Sequence, residues 1–425
     1  MLATLLERVP PTADAVVTPG GALDGHALRA EAHALETLVA PLRGTRVAVA
    51  CLPVPQTFAA LVALDRAGAQ ALLADEDVAG DQALLDELDV AATLIPAAEG
   101  PPRLTMRATA PAASPGRSGV VLLTSGTTGR PKPVTHSWAT LATGSRGGAA
   151  ERWGCGYRLR LFAACQVLVQ AWSAGGCLVA GEGMSSEQAA RFWATAGATA
   201  ASATPSFWRW LILTATPAAL AAIPLRQITM GGEPVDQPLL DRLRLAFPAA
   251  RITHIYATTE LGRCFAVSDG RAGFPAAWLA AGAPEGARRM TVDAGELVVH
   301  TAGSLYHTGD MVTVEGDRVQ FAGRRDEVLN VGGEKVSPLA VERRLRELPE
   351  VADVLVFGRR SSVVGHLLAC EVVPAPGIDP DTVRVAIERQ AQAQLAPAAR
   401  PRFIEVVERI TLSATGKAIR GAKEN

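Results

Sequence analysis

The chain has no excess of charge of either sign: 41 Lys and Arg stand against 42 Asp and Glu, a formal net charge of -1 over 425 residues. Such a balance offers no field for nucleic acid or an anionic membrane surface, so neither is expected as a partner. The six cysteines, Cys51, Cys155, Cys165, Cys177, Cys264 and Cys370, form no C-x-x-C pair. That excludes a zinc ribbon or a redox dithiol, and a reducing cytoplasm is the expected location. Long apolar runs are missing too. The most apolar stretch, residues 194–225, is cut by Pro205, Pro217 and Pro224 and carries Arg209, short of the roughly 18 uninterrupted apolar residues of a membrane span. At the start, Glu7, Arg8, Pro10 and Pro11 break the apolar segment at once, so no signal peptide is expected. The seven histidines show no H-E-x-x-H spacing and there is no G-x-S-x-G elbow, which sets aside metal-hydrolase and serine-hydrolase chemistry.

What is present is an alternation of apolar strand-like runs and helix-like segments. VAVACLPV, FAALVALDRAGAQ and LLA (residues 45–73) read as strand, helix, strand, and similar runs recur at residues 119–125, 158–163, 198–204, 228–231 and 251–256. Helices interleaved with buried strands imply α/β sheets covered on both faces. Beyond Gly295 the pieces ELVVH, MVTVEG and RVQFAG read as a small antiparallel β-subdomain. After Asp326 a loop, a helix, two strands and a further helix from Thr382 form an α+β unit of about 100 residues. The expected organisation is a large domain of layered α/β sheets with its β-subdomain over residues 1–325, and a small α+β domain over 326–425.

The strongest chemical signal is GVVLLTSGTTGRPKP, residues 119–133, where a buried strand enters a run of hydroxyls, glycines and a lysine. Gly126 and Gly129 let backbone N–H groups approach phosphate oxygens, Thr124, Ser125, Thr127 and Thr128 add donors, and Lys132 adds charge. It is not a Walker A loop, because Arg130 and Pro131 separate Gly129 from Lys132. In YATTE (256–260), Tyr256 can stack on a base, Thr259 can donate to phosphate and Glu260 can hold Mg²⁺. In YHTGD (306–310), Asp310 can accept two ribose hydroxyls, with Arg324 as a cationic donor. Taken singly, these residues also read as a strand-end cap and a turn.

TSGTTGRPK resembles the phosphate-loop signature of the adenylate-forming enzymes, which include acyl-CoA synthetases, peptide-synthetase adenylation domains and luciferases. Gly231–Gly232–Glu233, YATTE, YHTGD, GRRDEVLNVGGEKVSP from Gly323, and TGK at 415–417 follow in that family's order, so the likeness spans residue 58 to the C-terminus. It implies an ATP- and Mg²⁺-dependent, AMP-forming ligase in which Gly231, Gly232, Glu233 and Ala257 lie along the adenine. By the same resemblance Asp326 is the hinge of a mobile C-terminal domain and Lys417 is the lysine that domain inserts beside the α-phosphorus. VGGEKVSP resembles the segment lining a pantetheine tunnel, with Gly332 and Gly333 allowing close approach of a thiol from CoA or a separate carrier protein.

For the acid, the segment LFAACQVLVQAW (161–172) lacks the acidic residue of amino-acid-activating relatives, and Cys165 and Gln166 stand where a histidine is common. With Phe207, Trp208 and Cys264 they form the expected acid pocket, and Phe207 with Trp208 reads equally as core packing. The short wall between Glu296 and Asp310 implies a small or compact acid. An amine acceptor, including activation of nitrite for diazotisation, is the alternative. A nucleotide-binding protein without catalysis and an ADP-forming ATPase or kinase are the readings from other classes.

Overall fold

The computed structural model describes residues 1–108, 118–125, 131–143, 148–279, 283–361, 365–413 and 418. Among them the chain forms an eight-, a six- and two five-stranded sheets, the mixed α/β architecture expected. In the six-stranded sheet, Arg46–Ala50, Gln70–Ala74, Val90–Ile95 and Gly119–Ser125 run parallel, and Pro131–His136 returns antiparallel along Gly119–Ser125, with Thr124 opposite Lys132.

The eight-stranded sheet carries the site. Its relevant parts are helix α1 (Phe162–Ser173), strand β1 (Ala200–Ala203), helix α2 (Pro205–Thr214), strand β2 (Gln227–Gly231), helix α3 (Gln237–Ala246), strand β3 (Arg251–Thr258) and strand β4 (Gly262–Val267). β1, β2 and β3 are parallel neighbours and β4 closes the edge antiparallel to β3. Strand periodicity splits β2 in two: Ile228 and Met230 are fully buried with Trp208, Leu239 and Leu243, while Gln227, Thr229 and Gly231 face the opposite side. α2 starts where Pro205 takes the first turn and the Thr204 hydroxyl accepts from the Phe207 amide at 3.1 Å.

Residues 158–163 were expected to be extended. The strand of that region is Arg152–Cys155, and α1 begins at Phe162. Ala164, Leu168 and Trp172 recur at helical spacing as buried residues, which a four-residue strand cannot accommodate. The antiparallel sheet also starts before Gly295, with Phe274–Pro275 and Met290–Asp293 as its two edges.

The remaining sheet comes from the C-terminal unit, in which helix α4 (Pro338–Leu345) precedes strand β5 (Val351–Ser361). This unit packs on α2 and α3. Trp210 of α2 joins Ala352, Leu355, Val373 and Ile410 in one apolar cluster. Around that cluster Arg209 pairs with Asp236 at 2.6 Å and Asp353 at 3.3 Å, and Arg346 pairs with Asp353 at 3.0 Å, Glu342 at 3.3 Å and Asp236 at 3.7 Å. Arg242 donates to the carbonyls of Val351 and Ala352. Burial works to raise the Asp236 pKa, and the Arg209 and Arg346 guanidiniums hold it below the ordinary carboxylate value.

Candidate active site

Between α1 and the exposed face of β1 to β4 lies a cavity of about 740 Å³. Its floor is set by strand register. Ser202 stands beside Thr229 and Thr229 beside Thr253. The pairing of His254 with Val267 brings Ser268 next to Thr253. All four hydroxyl residues line the cavity, with Gln227 and Arg251 beyond them toward the strand starts, and Gly231, Ala257 and Thr259 at the strand ends. The wall opposite is α1, where Phe162, Gln166 and Gln170 recur every four residues and so share one helix face.

That periodicity sorts the expected acid-pocket residues. Gln166 lines the cavity. Cys165, one residue earlier, is 2% exposed and turned into the core, and burial pushes its thiol up to about 12. Trp208 is fully buried and its indole N–H donates to the Thr229 carbonyl. Cys264 is also fully buried, in the cluster around Phe265 and Phe274, with its thiol pushed up to about 11 by burial. Phe207 packs against Trp193 and Trp208, with centroid separations of 5.4 and 6.3 Å. These four do not line the cavity: on α1 and β4 the neighbouring Gln166 and Arg263 take the cavity-facing direction, and α2 lends the lining no residue.

At the strand ends the structure gathers the expected nucleotide residues. The Tyr256 hydroxyl donates to Asp310 Oδ2 at 2.5 Å, and its ring packs on Phe265 and Phe321 at 5.2 and 5.1 Å. The pKa of Tyr256 is raised by burial first and then by the Asp310 charge, so its proton stays on and remains a donor. Asp310 lies across the sheet from Arg324, their charged atoms 3.5 Å apart. Glu260 is exposed beside Tyr306, whose pKa is raised by burial and by the Glu260 carboxylate it bonds. Thr124 Oγ1 donates to the Lys132 carbonyl at 3.3 Å, and Lys132 itself is exposed.

Gly231 and Gly232 line the cavity, with Gly232 at φ +87°, where a side chain would be strained. Glu233 turns away. Its carboxylate accepts from the Ser206 amide and hydroxyl, both at 2.9 Å, at the first turn of α2, so it serves that helix end rather than the cavity. Asp326 is exposed and pairs with Arg324 at 3.3 Å. Gly332 and Gly333, at φ +60° and +94°, turn an exposed hairpin whose strands pair Val331 with Glu334. Gly126, Thr127, Thr128, Gly129 and Lys417 lie outside the described residues, as does the side chain of Ser125.

Two residues of this mouth were not singled out from sequence. Glu296 is 1% exposed and accepts from the Gly309 amide at 2.6 Å, from His307 Nδ1 at 3.1 Å and from Arg325, which fixes the turn presenting Asp310. His136 ends Pro131–His136 and packs on Phe162 of α1, centroids 5.0 Å apart. Burial lowers its pKa, opposed by the Thr259 backbone and the Glu260 charge, so a neutral imidazole links the hairpin of Gly119–Ser125 and Pro131–His136 to the Thr259–Glu260 turn. His136 stands three residues after the quoted loop, and that proximity was its one signal. Glu296 had none, since a Glu opening a strand is ordinary.

The family profile described as AMP-binding enzyme matches residues 72–314, more than half of the chain, and the profile of the AMP-binding enzyme C-terminal domain matches residues 340–417. Among curated proteins the chain is similar to a probable 2-succinylbenzoate–CoA ligase of Mycobacterium tuberculosis, 29% identical over 228 residues, 48% of this chain and 55% of that protein. Matches to other curated relatives span as little as 21% of their length. The fold is shared with solved structures. The anthranilate CoA ligase AuaEII in complex with anthranoyl-AMP has TM-score 0.76 and 17% identity, over 98% of this chain and 95% of the other. The amide bond synthetase McbA from Marinactinospora thermotolerans has TM-score 0.70 and 20% identity, over 99% and 97%.

Proposed function

The chain belongs to the AMP-binding enzymes, and on that premise we propose that it is an ATP-dependent, AMP-forming ligase that activates an acid as its adenylate and transfers it to the thiol of CoA or of a carrier protein. The observation that carries this reading is that Gly231, Gly232, Ala257 and Thr259 line one end of the cavity, and Tyr256 and Glu260, flanking Ala257 and Thr259 in the chain, join the Tyr256–Asp310–Arg324 group and the Glu260–Tyr306 pair.

In this reading ATP lies across that mouth. Asp310, held by Tyr256 and Glu296, accepts the ribose hydroxyls, with Arg324 beside it. Ala257 and the two glycines lie along the adenine, and Thr259, Lys132 and the 126–130 loop take the phosphates. Among the described residues there is no group of three or more His, Cys, Asp or Glu able to hold a metal alone. The single carboxylate of Glu260 suits Mg²⁺ that arrives with its phosphate oxygens, where it would neutralise phosphate charge.

A carboxylate oxygen of the acid attacks the α-phosphorus, the bond to the β-phosphate oxygen breaks and pyrophosphate leaves. Lys132 and Lys417 stabilise the charge that develops. Rotation of residues 326–425 about Asp326 then brings the Gly332–Gly333 turn toward the site. There a thiolate attacks the acyl carbon and AMP leaves.

The test is product analysis after incubation with ATP, Mg²⁺ and pooled acids, nitrite included, with and without CoA or an aryl amine. The expected result is AMP formed only with a particular acid. The accompanying thioester, amide or diazo product then separates a thiol acceptor from an amine. ADP, or bound ATP without turnover across the acid pool, would overturn the ligase reading.

A further inference from the structure

The cavity continues well past the strand ends where the acid would meet the nucleotide. From Gly231 back to Gln227 the floor runs four residues, on the order of 13 Å of strand. Midway along that path, at the level of Thr229, a row of hydroxyls crosses the floor: Ser202, Thr229 and Thr253 on adjacent strands and Ser268 just after β4, with Gln166 and Gln170 opposite on α1. A tunnel for an alkyl tail would be lined by aliphatic side chains, since burying a hydroxyl against hydrocarbon costs free energy unless the group is hydrogen-bonded. At this level the floor is instead a row of donors and acceptors.

Its far end is cationic. Arg251 lines the cavity beside its strand partner Gln227 and donates to Ser268 Oγ at 3.1 Å. Among the described residues no carboxylate pairs with Arg251, whereas nearby Arg318 and Arg271 are paired with Asp269 and Asp317. Gln227 gives its amide nitrogen to Thr253 Oγ1 at 3.3 Å. The other charged lining residues, Arg263 and Glu285, are not part of this end. Arg263 pairs in register with Ala257 at the mouth, and its guanidinium approaches the Gly286 segment that follows Glu285.

We propose that Arg251, Ser268 and Gln227 form a subsite for a second carboxylate, so that the acid activated is a dicarboxylic acid lying parallel to the strands and crossing the hydroxyl row, with one end at the nucleotide and the other at Arg251. The assignment rests on the ligase reading for which end reacts. It does not rest on that reading for the existence of the subsite. A carboxylate at Arg251 would receive charge-assisted hydrogen bonds, the strong class, whereas an uncharged chain end would leave the guanidinium to Ser268 and solvent.

The experiment measures two quantities for the protein and for Arg251→Gln. One is calorimetric binding of straight-chain dicarboxylic acids of six to ten carbons and of the monocarboxylic acids of equal length. The other is AMP formation from each with ATP and Mg²⁺. Arg251 is exposed, so its replacement leaves the cores intact. Diacids are expected to bind and react at least about tenfold better than matched monoacids, with that preference lost in Arg251→Gln, in line with a charged hydrogen bond. Equal use of both series, unchanged by Arg251→Gln, would overturn the subsite and keep the ligase reading. Diacid binding that depends on Arg251 without AMP formation would keep the subsite and overturn the ligase reading. Neither binding nor AMP formation would overturn both.

Discussion

The cavity floor and the seam between α2–α3 and the C-terminal unit are both made of polar side chains on regular elements, yet they are built in opposite ways. In the seam, Arg209, Asp236, Arg346 and Asp353 spend their charges on one another, with Arg209, Asp236 and Asp353 at 6–7% exposure. On the floor, the uncharged Thr229, Thr253, Ser268 and Gln227 make bonds of 3.1–3.4 Å to one another, to Arg251 or to backbone carbonyls, and line the cavity. Polar groups that satisfy each other hold a structure together. Polar groups left facing a cavity are available to a ligand, and the difference predicts different consequences of mutation.

The largest effect is expected in the seam. Asp353→Ala strands Arg209 and Arg346 as buried, undercompensated cations, a change of about 3–5 kcal/mol, measured as a lower urea midpoint. A loss below about 1 kcal/mol would show that the seam is solvated and erase the contrast. Next comes Lys417→Ala, which removes the lysine charge assigned to the α-phosphorus under the proposed function. Adenylation is expected to fall about 10²- to 10³-fold in pyrophosphate release, with ATP affinity largely retained, and unchanged adenylation would remove Lys417 from the mechanism.

Asp310→Asn keeps the shape of the mouth but removes the charge. It is expected to weaken ATP binding by about 10- to 100-fold in equilibrium titration while the urea midpoint stays near that of the parent protein. Thr253→Val on the floor should alter stability by less than about 1 kcal/mol yet raise the KM for the acid. A large stability loss there would mean the floor is structural like the seam.

The smallest effect is a pH dependence. The Asp236 pKa is depressed in the fold against an ordinary value of about 3.9. Between the two values the unfolded chain binds the extra proton, so the contribution is fully present above about pH 4 and is lost as pH falls through the folded value. Stability measured from pH 6 to 3 should fall at the acid end, and Asp236→Asn should flatten that slope.

Tyr256, Asp310 and Arg324, 68 residues from first to last, were taken as candidate nucleotide ligands from their motifs and the family resemblance, and the structure joins them in one group. The acid pocket was read poorly. Cys165 and Gln166 are adjacent in sequence and face opposite ways, because a helix turns about 100° per residue, and a one-residue phase error exchanges core for cavity. Glu233 looked like part of a nucleotide turn until Ser206 supplied a partner. The hydroxyl row was invisible because Ser202, Thr229, Thr253 and Ser268 become neighbours only through strand pairing.

By itself the sequence determined the α/β class, the antiparallel subdomain, the C-terminal α+β unit and the motifs that carry the candidate nucleotide residues. Each of these is written in local periodicity or in short motifs whose chemistry depends on residue type and close spacing. The tertiary structure alone decided which polar residues meet a ligand and which neutralise each other. Register and docking bring together positions far apart in the chain, and a side chain's role depends on whether its hydrogen bonds are already taken.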